Sequence, residues 1–403
     1  MRNPQLAGSL LALALLGSCA DSSTSDPSAE LTRDHASKGH NPGLVADGKE
    51  IFRSDTYGDE TFWTDTLRMH EVIRTAVSPN TALAVGLKVD ADALPPEVKA
   101  ALAAKTLDLD SPATTVTLLK LGAVLGVIGQ VDASNTLTRV GISCALCHST
   151  VDNSFATGIG RRLDGWPNRD LDVGKIVALS PALSVEQKAV YNSWGPGKYD
   201  PRFNQDGKNI PVVLPPAFGL RHVKLETYTG DGPVSYWNAY VAITQMHGHG
   251  QFNDTRIGVS VNNPPDLVSS KLDALREYQL SIDAPKPGSF DPEAARRGKV
   301  VFNAAAGCAR CHKGNAETDV GTGRLHSPED VGQDAAYAMR SATRLYRATP
   351  LRGLWNPPQL KGPYFHDGSA ATLGDVVEHY VERFSLKLSV QQKADLVEYL
   401  KSL

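Results

Sequence analysis

Two stretches of the chain place apolar residues at helical spacing. Asp291-Pro292-Glu293 is a helix start, with Asp as N-cap and Pro at the first helical position. The apolar face then runs through Gly298, Val301 and Phe302 toward Cys308. Ser389-Val390-Gln391-Gln392 is a capping-box pattern, and Val390, Ala394, Val397 and Leu400 follow close to helical spacing. These predict the first and last helices of a C-terminal α-helical unit. Ala284-Pro285-Lys286-Pro287-Gly288-Ser289 reads as the linker into it. Two other apolar windows read differently. Leu10 to Leu16 is too short to span a bilayer and, after Arg2, reads as the core of a secretory signal. Val116 to Val131 holds Lys120, Gln130 and three glycines, then passes through Asp132-Ala133-Ser134-Asn135 into Leu137 to Ile142. Alternation around a Ser-Asn turn predicts a β-hairpin, not a membrane span.

The 403 residues carry 41 Lys+Arg against 44 Asp+Glu, a formal charge of −3, with 41% hydrophobic and 21% charged residues. That balance excludes a disordered chain and a polytopic membrane protein. The length suits about two to three globular domains. Near-neutrality removes any electrostatic case for nucleic acid as a partner. Cysteine changes the picture most. Five are present, at Cys19, Cys144, Cys147, Cys308 and Cys311. Leu16-Gly17-Ser18-Cys19 resembles the bacterial lipobox, in which the Cys is lipidated and begins the mature chain; the alternative is an ordinary signal with an incidental Cys. Residues 21–41, rich in Ser, Asp and Thr, read as a flexible tether. The expected product is a periplasm-facing lipoprotein, anchored by Cys19 to a membrane, the outer one by preference.

Cys144-Ala145-Leu146-Cys147-His148 and Cys308-Ala309-Arg310-Cys311-His312 are both C-x-x-C-H. Two thiols three residues apart reach the two vinyl groups of a haem from one turn, and the next residue sets its imidazole beneath the iron. A redox dithiol does not need the following His, and no further Cys pair remains to complete zinc clusters. Two covalently bound haems c follow, with His148 and His312 as proximal ligands.

Thr349-Pro350-Leu351-Arg352, Pro363-Tyr364-Phe365-His366-Asp367-Gly368 and Ala371-Thr372-Leu373-Gly374 then resemble the bacterial di-haem cytochrome c peroxidase and MauG superfamily. The resemblance is close over about residues 290–403 and patchier over 140–250. It implies a mainly α fold of two class I cytochrome c-like haem domains, with insertions and the β-hairpin in the N-terminal one. The implied divisions are 1–18 for the lipoprotein signal peptide, 19–43 for the tether, 44–284 for the N-terminal haem domain and 285–403 for the C-terminal one. Gly48-Lys49-Glu50-Ile51-Phe52 resembles the helix ahead of a first haem, and residues 60–140 and about 176–205 are insertions relative to the family.

The resemblance also implies roles. Tyr380 stands where the peroxidases carry a Met and MauG a Tyr as sixth ligand of the C-terminal haem, with His379 and Met339 as alternatives. His366 is implied beside the haem rather than on it. Arg161 stands where many peroxidases have a His that caps the N-terminal iron. It is read either as a donor to a departing oxygen or as the partner of a haem propionate. Lys208-Asn209-Ile210-Pro211 resembles a segment whose Asn holds calcium between the domains, which makes Asn209, Pro363 and Lys361 a candidate calcium site. Tyr228 or Trp237 takes the place of an aromatic bridge between the haems, and His247 or His249 the place of a distal acid–base group; the alternative is a His-rich surface loop. The leading function is reduction of hydrogen peroxide at the N-terminal haem, with electrons entering through the C-terminal haem from a small cytochrome c or cupredoxin. The alternatives are a MauG- or RoxA-like oxidase or oxygenase that uses oxygen on an organic or protein substrate, and a non-enzymatic electron carrier.

Overall fold

The computed structural model describes residues 41–355 and 362–403. The leader, Cys19, most of the tether and Lys361 lie outside them. The chain is mainly helical. Helix α1 (Pro42–Ser54) is capped by the Asn41 side chain and has Pro at its start. Helices α2 (Met69–Ala76) and α3 (Pro112–Lys120) follow, then the antiparallel hairpin β1 (Val127–Val131) and β2 (Leu137–Ile142). The hairpin delivers the chain into a single turn, α4 (Ala145–His148), with Cys144 as its N-cap. Strand β3 (Ser149–Val151) leaves that turn and pairs with β4 (Arg162–Asp164). Helices α5 (Val173–Ala178), α6 (Val185–Asn192) and α7 (Val234–Tyr240) precede a second hairpin, β5 (Gly250–Asp254) and β6 (Val259–Asn263), and α8 (Leu272–Ser281). The C-terminal part is built from α9 (Pro292–Asn303), α10 (Leu373–Arg383) and α11 (Val390–Lys401). Every sheet among the described residues has two strands, and none of the described helices is long and apolar enough to cross a membrane.

Both helix starts read from the sequence are present. Asp291 Oδ1 accepts from the amides of Glu293 and Ala294, and Ser389 with Gln392 forms a reciprocal capping box. The hairpin is present over residues 127–142, with a bulge at Gln130/Val131. Its first arm was drawn too long. Residues 116–120 are helical because Ser111 caps a helix that begins with Pro112, a start signal that outweighs the apolar run behind it. Much of the insertion closes its own core, in which Trp63, Leu119, Val140 and Leu146 are buried and Cys147 lies at the edge.

One helix crossing occurs twice. Where α1 meets α8, a Cβ on Gly48 would stand 1.9 Å from the carbonyl oxygen of Ala274. Four residues further along each helix, Phe52 meets Tyr278 edge-on with ring centroids 5.4 Å apart. Where α9 meets α11, a Cβ on Gly298 would stand 2.0 Å from the carbonyl oxygen of Asp395, and Phe302 meets Tyr399 at 5.1 Å. Residues four apart share a helix face, so Gly-x-x-x-Phe on one helix and x-x-x-Tyr on the other make a slot and its side wall. Each crossing backs a cysteine motif: Cys144 packs with Phe52, Leu275 and Tyr278, and Cys308 with Val301, Phe302 and Tyr399.

This geometry decides the sign of a substitution. Gly→Ala in a helix interior ordinarily gains about 1 kcal/mol, while overpacking a contact costs about 1–3 kcal/mol. At Gly298 the added methyl meets backbone, which cannot swing away, so crowding wins. Urea unfolding of the haem-loaded protein should show a lower midpoint for Gly298→Ala. Val300→Ala, on the exposed face of the same helix, should stay within about 0.5 kcal/mol of wild type. A raised midpoint in Gly298→Ala would show the crossing to be looser than described.

Candidate functional site

The C-terminal motif opens onto a cavity of about 580 Å³, within the roughly 300–1,000 Å³ of cofactor pockets. Gly307, at φ 67°, turns the chain out of α9 into the short helix that holds Cys308. His312 lines the cavity with its Nδ1 3.0 Å from the carbonyl of Glu317, which pins the ring. Tyr380, from α10, lines the same cavity close to both thiols. It is held by Phe384, stacked at 5.9 Å, and by the edge of Phe365 at 5.8 Å. Burial raises its phenol well above the usual value, so without a bound cation Tyr380 is neutral. His366 is buried at the cavity wall, with Nε2 3.3 Å from both the Tyr346 hydroxyl and an Asp334 carboxylate oxygen.

The N-terminal motif lies deeper. Burial pushes the thiols of Cys144 and Cys147 up to about 12, and that of Cys308 to about 11. Such thiols stay protonated at neutral pH, the reverse of a reactive redox dithiol. His148 is neutral as well, lowered to about 4 by burial, against a backbone hydrogen bond to Pro215 that acts the other way. Two inert thiols followed by a buried, neutral imidazole fit an iron-bearing group held by thioethers, and a reactive dithiol does not account for them. Around this motif, the Tyr57 hydroxyl hydrogen-bonds Cys144, and Tyr199 lies close enough to Cys147 for their charges to interact. The Tyr199 hydroxyl donates to Gln245 Oε1 at 2.7 Å, and Gln245 Nε2 donates to Asn204 and Thr244.

Several expected positions fall elsewhere. Arg161 is not a distal donor: its side chain is 71% exposed and pairs with Asp152 at 3.2 Å, because the β3–β4 connection turns it outward. His249 has both ring nitrogens engaged in a turn, Nδ1 at 3.0 Å from the Pro264 carbonyl and Nε2 at 3.4 Å from Thr61 Oγ1. His247 stacks on Phe62 at 3.7 Å, and burial lowers it to about 4, so it is neutral at neutral pH. Met339 is 55% exposed and His379 Nε2 lies 2.8 Å from the Gly332 carbonyl, which leaves Tyr380 as the sequence candidate that lines the same cavity as His312. Of the two bridging candidates, Tyr228 lines the cavity, with its hydroxyl on the Val213 carbonyl at 2.9 Å. Trp237 is buried in another cluster, with its indole N–H on the Glu226 carbonyl.

The calcium expectation is also corrected. Asn209 Oδ1 accepts from the Trp194 indole at 2.8 Å, and its amide nitrogen donates to Ser193. The neighbouring carbonyls of Lys208 and Ile210 accept instead from Arg340, at 3.0 and 3.3 Å. The same guanidinium bonds both oxygens of Asp200 and both of Asp206. An organic cation thus fills the oxygen cage that a metal ion would need.

Residues 295–403 match the cytochrome c family. The chain is 30% identical over 128 residues to the methylamine utilization protein MauG of Methylorubrum extorquens, covering 27% of this chain and 34% of that one. It is 31% identical over 129 residues to MauG of Methylophilus methylotrophus, covering 28% and 37%. Hydrazine synthase subunit gamma of Kuenenia stuttgartiensis is 33% identical over 152 residues, covering 28% and 41%. Over about a quarter of its length the chain is similar to MauG and to hydrazine synthase subunit gamma. It spans well under half the length of these relatives, and as a cytochrome c domain its C-terminal part binds haem c covalently.

Sequence reasoning on this MauG-like chain missed Tyr199, Gln245, Arg169 and Arg340. Gln245 lies two residues from His247, but an amide carries no motif. The other three come from segments with no distinguishing spacing.

The Arg340 cage yields a test. Its side chain is 1% exposed and that of Asp200 is 0% exposed, so Arg340→Met strands a buried carboxylate and should cost about 3–5 kcal/mol. Chelators should leave the wild-type melting temperature unchanged. A fall on chelation that added calcium reverses would restore the metal at this site.

Proposed function

We propose that the chain is a di-haem c oxidoreductase that reduces hydrogen peroxide at the N-terminal haem, using electrons received through the C-terminal haem. The repeated helix crossing carries this reading: a cysteine motif backed twice by the same Gly-x-x-x-Phe and Tyr pair supports two cytochrome c-like units in one chain. The two units differ in what faces the proximal His. At the C-terminal site His312 and Tyr380 line one cavity, an arrangement suited to a six-coordinate iron that exchanges electrons. At the N-terminal site the candidates are Tyr199 and Gln245, a hydroxyl and an amide already joined by a hydrogen bond and able to hydrogen-bond a small oxygen ligand.

Haem supplies one-electron storage at each site. The residues supply the rest. Hydrogen peroxide takes up two electrons and two protons to give two waters as the O–O bond breaks. Tyr199, with its hydroxyl fixed on Gln245, is placed to hold a proton near Cys147 and His148. Tyr228, in the wall of the C-terminal cavity, is the aromatic bridge of this reading. The donor is a small redox protein, a cytochrome c or a cupredoxin. The lipobox-like Leu16 to Cys19 supports a periplasm-facing, lipid-anchored location.

A MauG-like oxidase is the second reading, favoured by Tyr380 lining the cavity of His312. Peroxide-dependent oxidation of reduced cytochrome c supports the first; oxygen uptake with an organic or protein substrate and no peroxidase turnover supports the second. Tyr199→Phe should slow peroxide turnover by about a hundredfold with haem content unchanged. Undiminished turnover would remove Tyr199 from the chemistry. Tyr380→Phe should convert a low-spin paramagnetic resonance signal to high-spin while leaving the other haem's signal alone. An unaltered spectrum would end the assignment of Tyr380 as ligand, and two low-spin haems in a wild type inert to peroxide would leave an electron carrier.

A further inference from the structure

Arg169 stands in the wall between the two motifs. Its segment is tied to the first of them: the Asn168 amide donates to the Cys147 carbonyl at 2.9 Å and the Gly165 amide to that of His148 at 2.8 Å. Its side chain, however, lines the cavity of the second motif, with Cys308, Cys311 and His312. Nε and Nη1 are buried there with no hydrogen-bond partner. A guanidinium cannot shed its proton to escape such a setting, and an unpaired buried charge is strongly unfavourable. The other buried arginine of this wall, Arg347, already has its carboxylate, Glu226 at 2.8 Å. Arg169 has no ion pair among the described residues, and its electrostatic neighbours Tyr228 and Tyr364 are phenols kept neutral by burial. The cation lacks an anion on the side that faces the cavity.

We propose that Arg169 is the counter-cation for a carboxylate of the group bound in this cavity, a haem propionate, and that from its place behind the first motif it raises the reduction potentials of both irons. This rests on reading the C-x-x-C-H motifs as haem sites. A carboxylate on the cavity side would give the guanidinium the charged partner it lacks and accept from an orphaned N–H. A fixed positive charge in a poorly screened wall favours whichever iron has gained an electron. Its segment is bonded to the carbonyls of Cys147 and His148, so the charge stands close to the first motif as well.

Haem stoichiometry and spectroelectrochemical titration of the holoprotein test this in Arg169→Gln and Arg169→Lys. With two haems per chain retained, Arg169→Gln should lower the C-terminal potential by the equivalent of about tenfold in the reduction equilibrium, about 59 mV for one electron. The N-terminal potential should fall by less, and Arg169→Lys should recover most of both shifts. Selective loss of the C-terminal haem in Arg169→Gln, with retention in Arg169→Lys, also supports the assignment. Unchanged potentials in Arg169→Gln overturn it, and so does an equal shift in Arg169→Lys, since shape rather than charge would then act. Should neither variant fold, infrared redox-difference spectra of the wild type decide: propionate bands of an ion-paired carboxylate uphold the contact, and those of a solvated one overturn it. Wild type without haem would instead defeat the haem reading itself.

Discussion

Backbone-to-backbone contact at a glycine is the constraint on which the molecule is built. At Gly48 and again at Gly298, one helix approaches another so closely that a single methyl would overlap a carbonyl oxygen. That approach sets the crossing, and the crossing sets the Phe–Tyr contact behind each cysteine motif. A motif that must present two thiols and an imidazole to one planar group needs a fixed floor. Here the floor is a pair of helices locked at their nearest point, where side-chain rearrangement cannot absorb change. The insertions differ in kind. They close a separate apolar core around Trp63 and Leu119, which reaches into the first motif at the buried Leu146 and at Cys147.

Cations do the work of joining the parts. Arg340 gathers Asp200, Asp206 and two backbone carbonyls into one cage, tying the loop after Tyr199 to the segment before the Pro-Tyr-Phe-His motif. That motif is bound in turn, since the Val213 amide donates to the His366 carbonyl and Lys198 to that of Asp367. The cage resembles a metal site in its chemistry, with carboxylates and carbonyls converging on one charge. A guanidinium replaces the ion because its flat, five-donor fork reaches two carboxylates and the backbone together. Rigid coupling of this sort fixes the position of one cysteine motif relative to the other.

The two motifs sit in unlike surroundings, and the contrast is the functional content of the structure. Around His312 the wall is aromatic, with Tyr380 braced by Phe365 and Phe384. Around His148 the neighbours are hydroxyl and amide groups already linked by hydrogen bonds, Tyr57, Tyr199 and Gln245. Asp59, fully buried against the Ile142 amide, is pushed up to about 9 by burial and so adds a neutral carboxylic acid near Cys144. Polar groups that keep their protons at neutral pH surround one site; an aromatic wall surrounds the other.

The sequence alone determined what depends on neighbours along the chain. Helix starts at Asp291 and Ser389, the turn at Asn135 and both C-x-x-C-H motifs are local codes, because caps, turns and vinyl-spanning thiols act over three or four residues. Gly-x-x-x-Phe was legible in both halves, but its partner was not: Ala274 and Tyr278 have no spacing that announces a second helix crossing at Gly48. Only the tertiary structure decided which polar groups meet across hundreds of residues. Arg161 occupies the aligned position of a capping His and still points outward, because the β3–β4 pairing with Asp152 sets its direction. Asn209 matches a calcium segment, yet Arg340, remote in sequence, takes the oxygens. Arg169 and Tyr199 carry no motif at all. Their significance arises from burial and from what stands opposite them, and both are properties of the folded chain.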